Sequence, residues 1–588
     1  MFTIQSRSTA VSALLLAGFG VFALAFVLGP VLLLVQAAWA GPENNEPGLT
    51  LAPQRVSLAL ETAKLVGLVL AIAVPVGVAA ALVTFRTDTP ARVFWRLLLI
   101  LPAFVPLDLH ATAWLATLGP QGLARWLGLP IELKGLFGAA WVHAMASISW
   151  MVAIVGPAAS VVEAELEEDC LLVVGPLRTM WHVTVRRSLG AIVGAALVVA
   201  VQTAGEMTIT DLLQVRTYAE TVYTEFALAG RVGAATRTAV PGLVVWCILI
   251  ALAIRMLTRS VPRGAQAVAA RSPVFRLGGR RWFAFLGCLV VVVASFGVPV
   301  ASLLWRAGLK FEKILVVAPA NRVAPASSSA PQSAPSASSF PRSGRWSAPA
   351  LVENVRNSAE SAGEQLELSI RVAIATAALA VPLAWAFLSL ARRNALSRWL
   401  VMAFACVLFA MPGPVLGIGI KLALGRPILW WGLDPSSFGG RLAGIVDEFG
   451  RTSAVLVWLH VLRVLPFAMA LLWPVRRVVA SRLLEAAAID GAGPWARWFH
   501  VELPACRTAI AAAALLCAVL SIGELGGSVI VTPPGQQPLS VRIFTFAHHG
   551  LESHLAGICI VLLAISAAGS FAVLACLRWT ARSIREER

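Results

Sequence analysis

The sequence predicts an all-α polytopic membrane protein of about 12 transmembrane helices, arranged as two tandem six-helix units. Three observations carry this reading. Of 588 residues, 58% are hydrophobic and only 13% charged, about half the charged share of an ordinary soluble domain. The apolar residues fall in blocks of bilayer-spanning length, giving a mean hydropathy of +0.80. The landmarks of the first half also recur, in order, in the second.

A helix needs about 20 apolar residues to cross the hydrocarbon core. Blocks of that kind lie at 11–37, 58–84, 94–117, 136–160, 189–206, 238–257, 283–306, 368–390, 399–421, 453–475, 506–524 and 555–578. The third and ninth show the weakest pattern. The apolar run 11–39 after Arg7 exceeds the core of a signal peptide, so it reads as a retained first span.

Arginines set the orientation. They cluster at Arg86–Arg96, Arg178–Arg187, Arg255–Arg281, Arg392–Arg398, Arg476–Arg507 and Arg578–Arg588. All these segments fall on one side if both termini are cytoplasmic, as the positive-inside rule requires. The formal net charge of +17 therefore reflects topology. No basic patch with interleaved aromatics lies outside the spans, which excludes a nucleic-acid partner. The eight cysteines form no CxxC or Cys/His cluster, so neither a metal site nor a disulfide framework is expected.

Two connecting segments stand out. Residues 261–282 read as a basic cytoplasmic linker between a first unit, 1–260, and a second, 283–588. Residues 318–350 are rich in Ala, Ser and Pro and read as a flexible extracytoplasmic insertion that cannot build a core.

The repeat rests on ordered matches. "AVPVG" at 73–77 aligns with "AVPLA" at 380–384, and the same offset pairs Arg86 with Arg393. "WVH" at 141–143 aligns with "WLH" at 458–460; Gly175 pairs with Gly491, and Gly205-Glu206 with Gly523-Glu524. Parallel repeats place a pseudo-two-fold axis along the membrane normal, with a pathway between the halves.

The segment 485–504, "EAAAIDGAGPWARWFHVELP", lies between the tenth and eleventh blocks. Its alanines are strong, unobtrusive helix formers. Gly491 suits the turn that ends such a helix, and Pro504 suits entry to the next. Glu485, Ala486 and Ala487, then Gly491, Leu503 and Pro504 resemble the EAA loop of ABC importer permeases, with Val501 in place of an Ile. The first half carries a degenerate copy at 169–188: Asp169 replaces the Glu, Gly175 survives, and Arg187-Ser188 replace Leu-Pro.

That resemblance implies a fused two-permease subunit, similar to ferric-iron and thiamine permeases. Its EAA loops would couple to a separate ABC ATPase dimer, and an extracytoplasmic substrate-binding protein would deliver cargo. It would be a multi-pass protein of the bacterial inner membrane, in contact with lipid. The chain has no G-x-x-x-x-G-K-[ST] phosphate loop. ATP is thus the partner's, and the chain is expected to bind no cofactor or metal and to be no enzyme, with no catalytic residues. Ferric iron is the expected cargo; thiamine, phosphonate, polyamine or sulfate are alternatives carried by similar machinery. An ion-coupled secondary transporter is the rival mechanism.

Polar residues in the spans mark the candidate path, since ionisable groups at membrane depth face water or the bundle interior. Glu206, Asp211 and Glu524 are placed near its extracytoplasmic end; the plainer alternative is helix-end carboxylates in a vestibule. His143 and His460 either line the path or hydrogen-bond a neighbouring helix. Asp108 and His110 have no counterparts in the second half and read as a local polar contact, with metal binding by the pair as the weaker alternative.

Overall fold

The computed structural model describes residues 18, 29–39, 53–228, 230–260, 274–310, 345–425, 448–549 and 553–586. Seven helices among them are long and apolar enough to cross a membrane: Val56–Arg86, Gly135–Ala159, Val232–Met256, Gly278–Ala307, Gly363–Ala391, Ala454–Arg476 and Ser553–Thr580. Four further pairs of helices qualify if each bent pair is one span, making up to 11. Of the first expected span, only Gly18 and the helix Gly29–Trp39 lie within the described residues.

The third and ninth blocks are weak in sequence because each is a broken helix. Arg92–Phe104 meets Leu107–Trp126 at 103°, and Ala395–Ala410 meets Gly413–Leu424 at 104°. Proline causes both breaks. It disfavours helical backbone in the residue before it, and Val105 before Pro106 (ψ 130°) and Met411 before Pro412 (ψ 120°) are both extended. The fifth and eleventh spans repeat as well. Pro176–Val185 meets Leu189–Gly205 at 66°, and Trp498–Ala505 meets Arg507–Ile522 at 66°. The same bends thus recur at matching points of both halves.

Two large cores form, one mainly from each half, and each takes buried side chains from the other. In the first, the helices Pro53–Arg86 and Gly135–Ala159 pack through Leu65, Val69, Ala73, Ile148, Val152 and Val155. Their approach depends on glycine, since a Cβ at Gly77 would stand 2.4 Å from the Cβ of Met151. In the second, Val372, Ala380, Leu465, Leu472 and Ala513 play the corresponding part. A third cluster draws on both halves more evenly, setting Leu101, Leu109 and Ala113 against Ile522, Cys559 and Leu562.

Three expectations require correction. Within the basic linker 261–282, residues 261–273 lie outside the described ones, but the remainder is built into the fold. Phe275 is buried, its N–H donates to the Arg86 carbonyl at 2.8 Å, and the next helical segment begins at Gly278. A single aromatic supplies apolar area that the surrounding arginines conceal in composition. Within the insertion 318–350, residues 318–344 lie outside the described ones, yet Arg345–Trp346 pairs antiparallel with Leu309–Lys310. Ser347 then caps the helix Ala348–Ser361, its Oγ accepting from the Ala350 N–H. Lastly, the Glu485 helix is no separate element: Ala454–Ile489 is one helix. In the first half the equivalent path breaks between Gly135–Ala159 and Ala164–Val174.

Candidate functional site

The two EAA-like segments share one backbone plan. Gly175 (φ 77°) and Gly491 (φ 78°) both take left-handed backbone, which favours glycine, at the end of a helix. After Gly491 the Ala492 N–H donates to the Ala487 carbonyl at 2.9 Å, the six-to-one bond of a Schellman cap. Short helices opened by proline follow, Pro176–Thr179 and Pro494–Arg497. Each passes into a π-helical turn, Met180–Val185 or Trp498–Glu502.

Large apolar side chains stand out on the surface of these elements. Leu172 (88% exposed) and Val173 stand out from the first, beside Trp181; Ile489 (86%) and Phe499 stand out from the second. Glu485, Ala486, Asp169 and Pro504 are exposed, while Ala487 and Leu503 are half-buried.

Buried ion clusters tie each element to the spans above it. In the first half Glu167 pairs with Arg86 at the end of the second span, and the Thr184 hydroxyl donates to Glu167 at 2.6 Å. The Arg86 guanidinium lies over the Phe275 ring. In the second half Glu502 Oε1 accepts from Arg476 Nη2 at 2.7 Å and Arg392 Nη1 at 3.0 Å. Arg476 also donates to the Trp385 carbonyl and stacks over its ring. Sequence reasoning missed these clusters. The available signal was a single carboxylate, Glu502, at the unspecified position of the V-x-L-P run, amid the five arginines of the cluster Arg476–Arg507.

A cavity of about 210 Å³ lies between the halves. Its wall is built from repeated parts: the proline breaks Pro102–Pro106 and Met411–Pro414, the spans bearing His143 and Arg463, and the Gly-Glu pairs at 205–206 and 523–524. The two glutamates share a structural task. Glu206 accepts from the Thr208 and Ile209 N–H groups at 2.5 and 3.0 Å. Glu524 accepts from the Gly527 N–H at 3.2 Å, and its other oxygen takes Arg463 Nε at 3.1 Å. Arg463 Nη1 donates to the Met411 carbonyl at 2.8 Å.

Glu206, Glu524 and His143 thus meet at this cavity, with His143 Nε2 3.6 Å from Glu206. His460 does not line it: its nitrogens bind Ser521 and Ser528 hydroxyls at 2.7 and 2.8 Å. Asp211 lies away from it, 2.9 Å from His548 Nε2 of the other half. That contact, a hydrogen bond to Asp211, raises the His548 pKa. Asp108 and His110 do not bond each other. His110 Nε2 lies 3.2 Å from the Pro102 carbonyl, while Asp108 lines the cavity.

The described residues thus form a polytopic helical membrane protein with a cavity, lined by both charged and apolar side chains, where two similar halves meet. Residues 369–586 match the family described as binding-protein-dependent transport system inner membrane component. This segment, within the second half of the chain, is thus similar to the inner-membrane permease component of such importers. It is similar to the putative 2-aminoethylphosphonate transport system permease protein PhnV of Salmonella paratyphi A, 28% identical over 31% of this chain and 62% of the relative. The PhnV protein of Salmonella typhimurium is 27% identical over the same shares. The molybdenum transport system permease protein ModB of Azotobacter vinelandii is 27% identical over 30% of this chain and 76% of its own length. The chain thus spans 62% of the length of the PhnV proteins it matches.

Proposed function

We propose that this chain by itself forms the translocation path of an ATP-driven importer, as two fused permease units, 1–260 and 283–588 with its start extended back to Gly278. The observation that carries this reading is the recurrence of both bends, 103° with 104° and 66° with 66°, around one shared cavity. The apolar side chains at Leu172, Val173, Trp181, Ile489 and Phe499 are the surface for a separate ATPase dimer that binds the ATP. Both termini are cytoplasmic, and an extracytoplasmic binding protein hands cargo to the opposite face. The buried ion clusters at Glu167 and Glu502 carry the motion of the docked segments into the spans.

For the cargo, the printed names of the relatives favour an organophosphonate such as 2-aminoethylphosphonate, with molybdate second; they lend no support to ferric iron. Tagged full-length chain should co-purify with an ABC ATPase from its native host. Membrane vesicles holding the complex and its binding protein should take up 2-aminoethylphosphonate only with ATP. Uptake driven by an ion gradient without ATP would instead establish a secondary transporter.

A further inference from the structure

Three carboxylates line the central cavity, and they are not equivalent. Glu524 is neutralised by Arg463. Both oxygens of Glu206 are occupied by backbone N–H groups. Asp108 is only 2% exposed, and among the described residues no side chain hydrogen-bonds or pairs with its carboxylate. It sits in the first turn of the helix Leu107–Leu118, so the helix end supplies a partial positive charge and no full counter-ion. A buried carboxylate in this state has a large unmet demand for a cation.

Arg463 also lines the cavity. It uses Nε and Nη1 within the protein, and no described residue accepts from its Nη2. Among the described residues, no group of three His, Cys, Asp or Glu side chains is placed to hold a metal ion. The cavity, about 210 Å³, is below the roughly 300–1,000 Å³ of sites for drug-sized ligands.

We propose that this cavity is a substrate site within the permease, in which Asp108 binds the ammonium group of a small zwitterion whose anionic end faces Arg463. The proposal rests on the permease reading above and adds a specificity element to the path itself. An ammonium donates up to three hydrogen bonds, enough to engage both oxygens of Asp108. A purely anionic cargo would meet an uncompensated negative charge here.

The test uses purified full-length chain in lipid nanodiscs, with binding followed by ligand-observed NMR. Three probes separate the contributions: 2-aminoethylphosphonate, ethylphosphonate, which lacks the amine, and ethanolamine, which lacks the phosphonate. Wild-type protein should bind 2-aminoethylphosphonate at least tenfold more tightly than ethylphosphonate, and ethanolamine measurably. Asp108→Asn should abolish that preference, since a charge-assisted hydrogen bond is worth about tenfold or more; Asp108→Glu should keep part of it. Equal binding of the two phosphonates by wild type, or no binding of any probe, overturns the proposal whether or not the variants fold. An unchanged preference in Asp108→Asn overturns it too. Co-purification of the ATPase and ATP-dependent uptake are scored separately, so the permease reading can stand while this one falls.

Discussion

Glu502 offers the sharpest single perturbation. Its Oε1 receives Arg476 Nε at 3.1 Å, Arg476 Nη2 at 2.7 Å and Arg392 Nη1 at 3.0 Å. Side-chain exposure is 4% for Arg476, 8% for Glu502 and 39% for Arg392. Glu502→Gln would leave a buried guanidinium without its counter-ion, a change that costs about 3–5 kcal/mol when nothing compensates. Here Arg476 keeps the Trp385 carbonyl at 3.0 Å and the Trp385 ring at 4.1 Å, and a desolvated cation–π contact is worth about 2 kcal/mol. The expected loss is therefore about 1–3 kcal/mol. At about 2 °C per kcal/mol, the low end for larger domains, that lowers Tm by about 2–6 °C. Arg392→Gln, at a half-exposed pair, should cost less than about 1 kcal/mol. The assay is thermal unfolding of the full chain in detergent, with Arg476→Met/Glu502→Gln completing the set. The double variant should recover part of the loss, because an apolar replacement removes the stranded charge. If Glu502→Gln and Arg392→Gln shift Tm equally, the buried cluster is not what anchors this segment.

Other perturbations test neighbouring parts of the argument. Gly491→Ala forces a Cβ onto a φ of 78°, at about 1–2 kcal/mol, and should reduce ATP-dependent uptake. Gly493→Ala, where a Cβ would meet open space, should leave uptake unchanged; equal effects would remove the capping explanation. Gly77→Ala sets a methyl 2.4 Å from the Met151 Cβ and should destabilise by about 1–3 kcal/mol through overpacking, seen as a lower Tm. The His548–Asp211 contact raises the His548 pKa, so its stabilisation is complete below the unfolded value of about 6.5 and fades as pH rises through the folded one. With His548 40% exposed, the effect is at most about 1 kcal/mol. The Tm gap between wild type and His548→Gln should therefore narrow from pH 6 to pH 8, and a constant gap would falsify the linkage.

The spans were legible because crossing a bilayer demands a run of apolar residues that composition alone reveals. The cap at Gly491 was legible for a similar reason, since its requirement is local to "IDGAG". The weak third and ninth blocks held their own explanation in Pro106 and Pro412, whose effect on the preceding residue is also local. What remained hidden was long-range. Phe275 lies 189 positions from Arg86, over which it packs, and nothing in an arginine-rich linker marks it as core. Glu502 and Arg392 are 110 positions apart. Asp108 was visible as an unmatched acid, but its lack of a side-chain partner depends on what every neighbouring helix does not provide.

Joining both halves in one chain frees the cavity from the rule that a symmetric pair must obey. In a pore made by two identical subunits, every charge on the wall appears twice, facing its own copy across the axis. Here, at the offset of 317 that relates His143 to His460, the counterpart of Arg463 (463 − 317 = 146) is Ala146 on the same wall. Asp108 likewise has no acidic twin in "PGPVLGIG". The cavity wall therefore carries an acid, Asp108, and a base, Arg463 paired with Glu524, that their pseudo-symmetric counterparts do not repeat. A cargo with two unlike ends can enter such a space in only one favourable orientation.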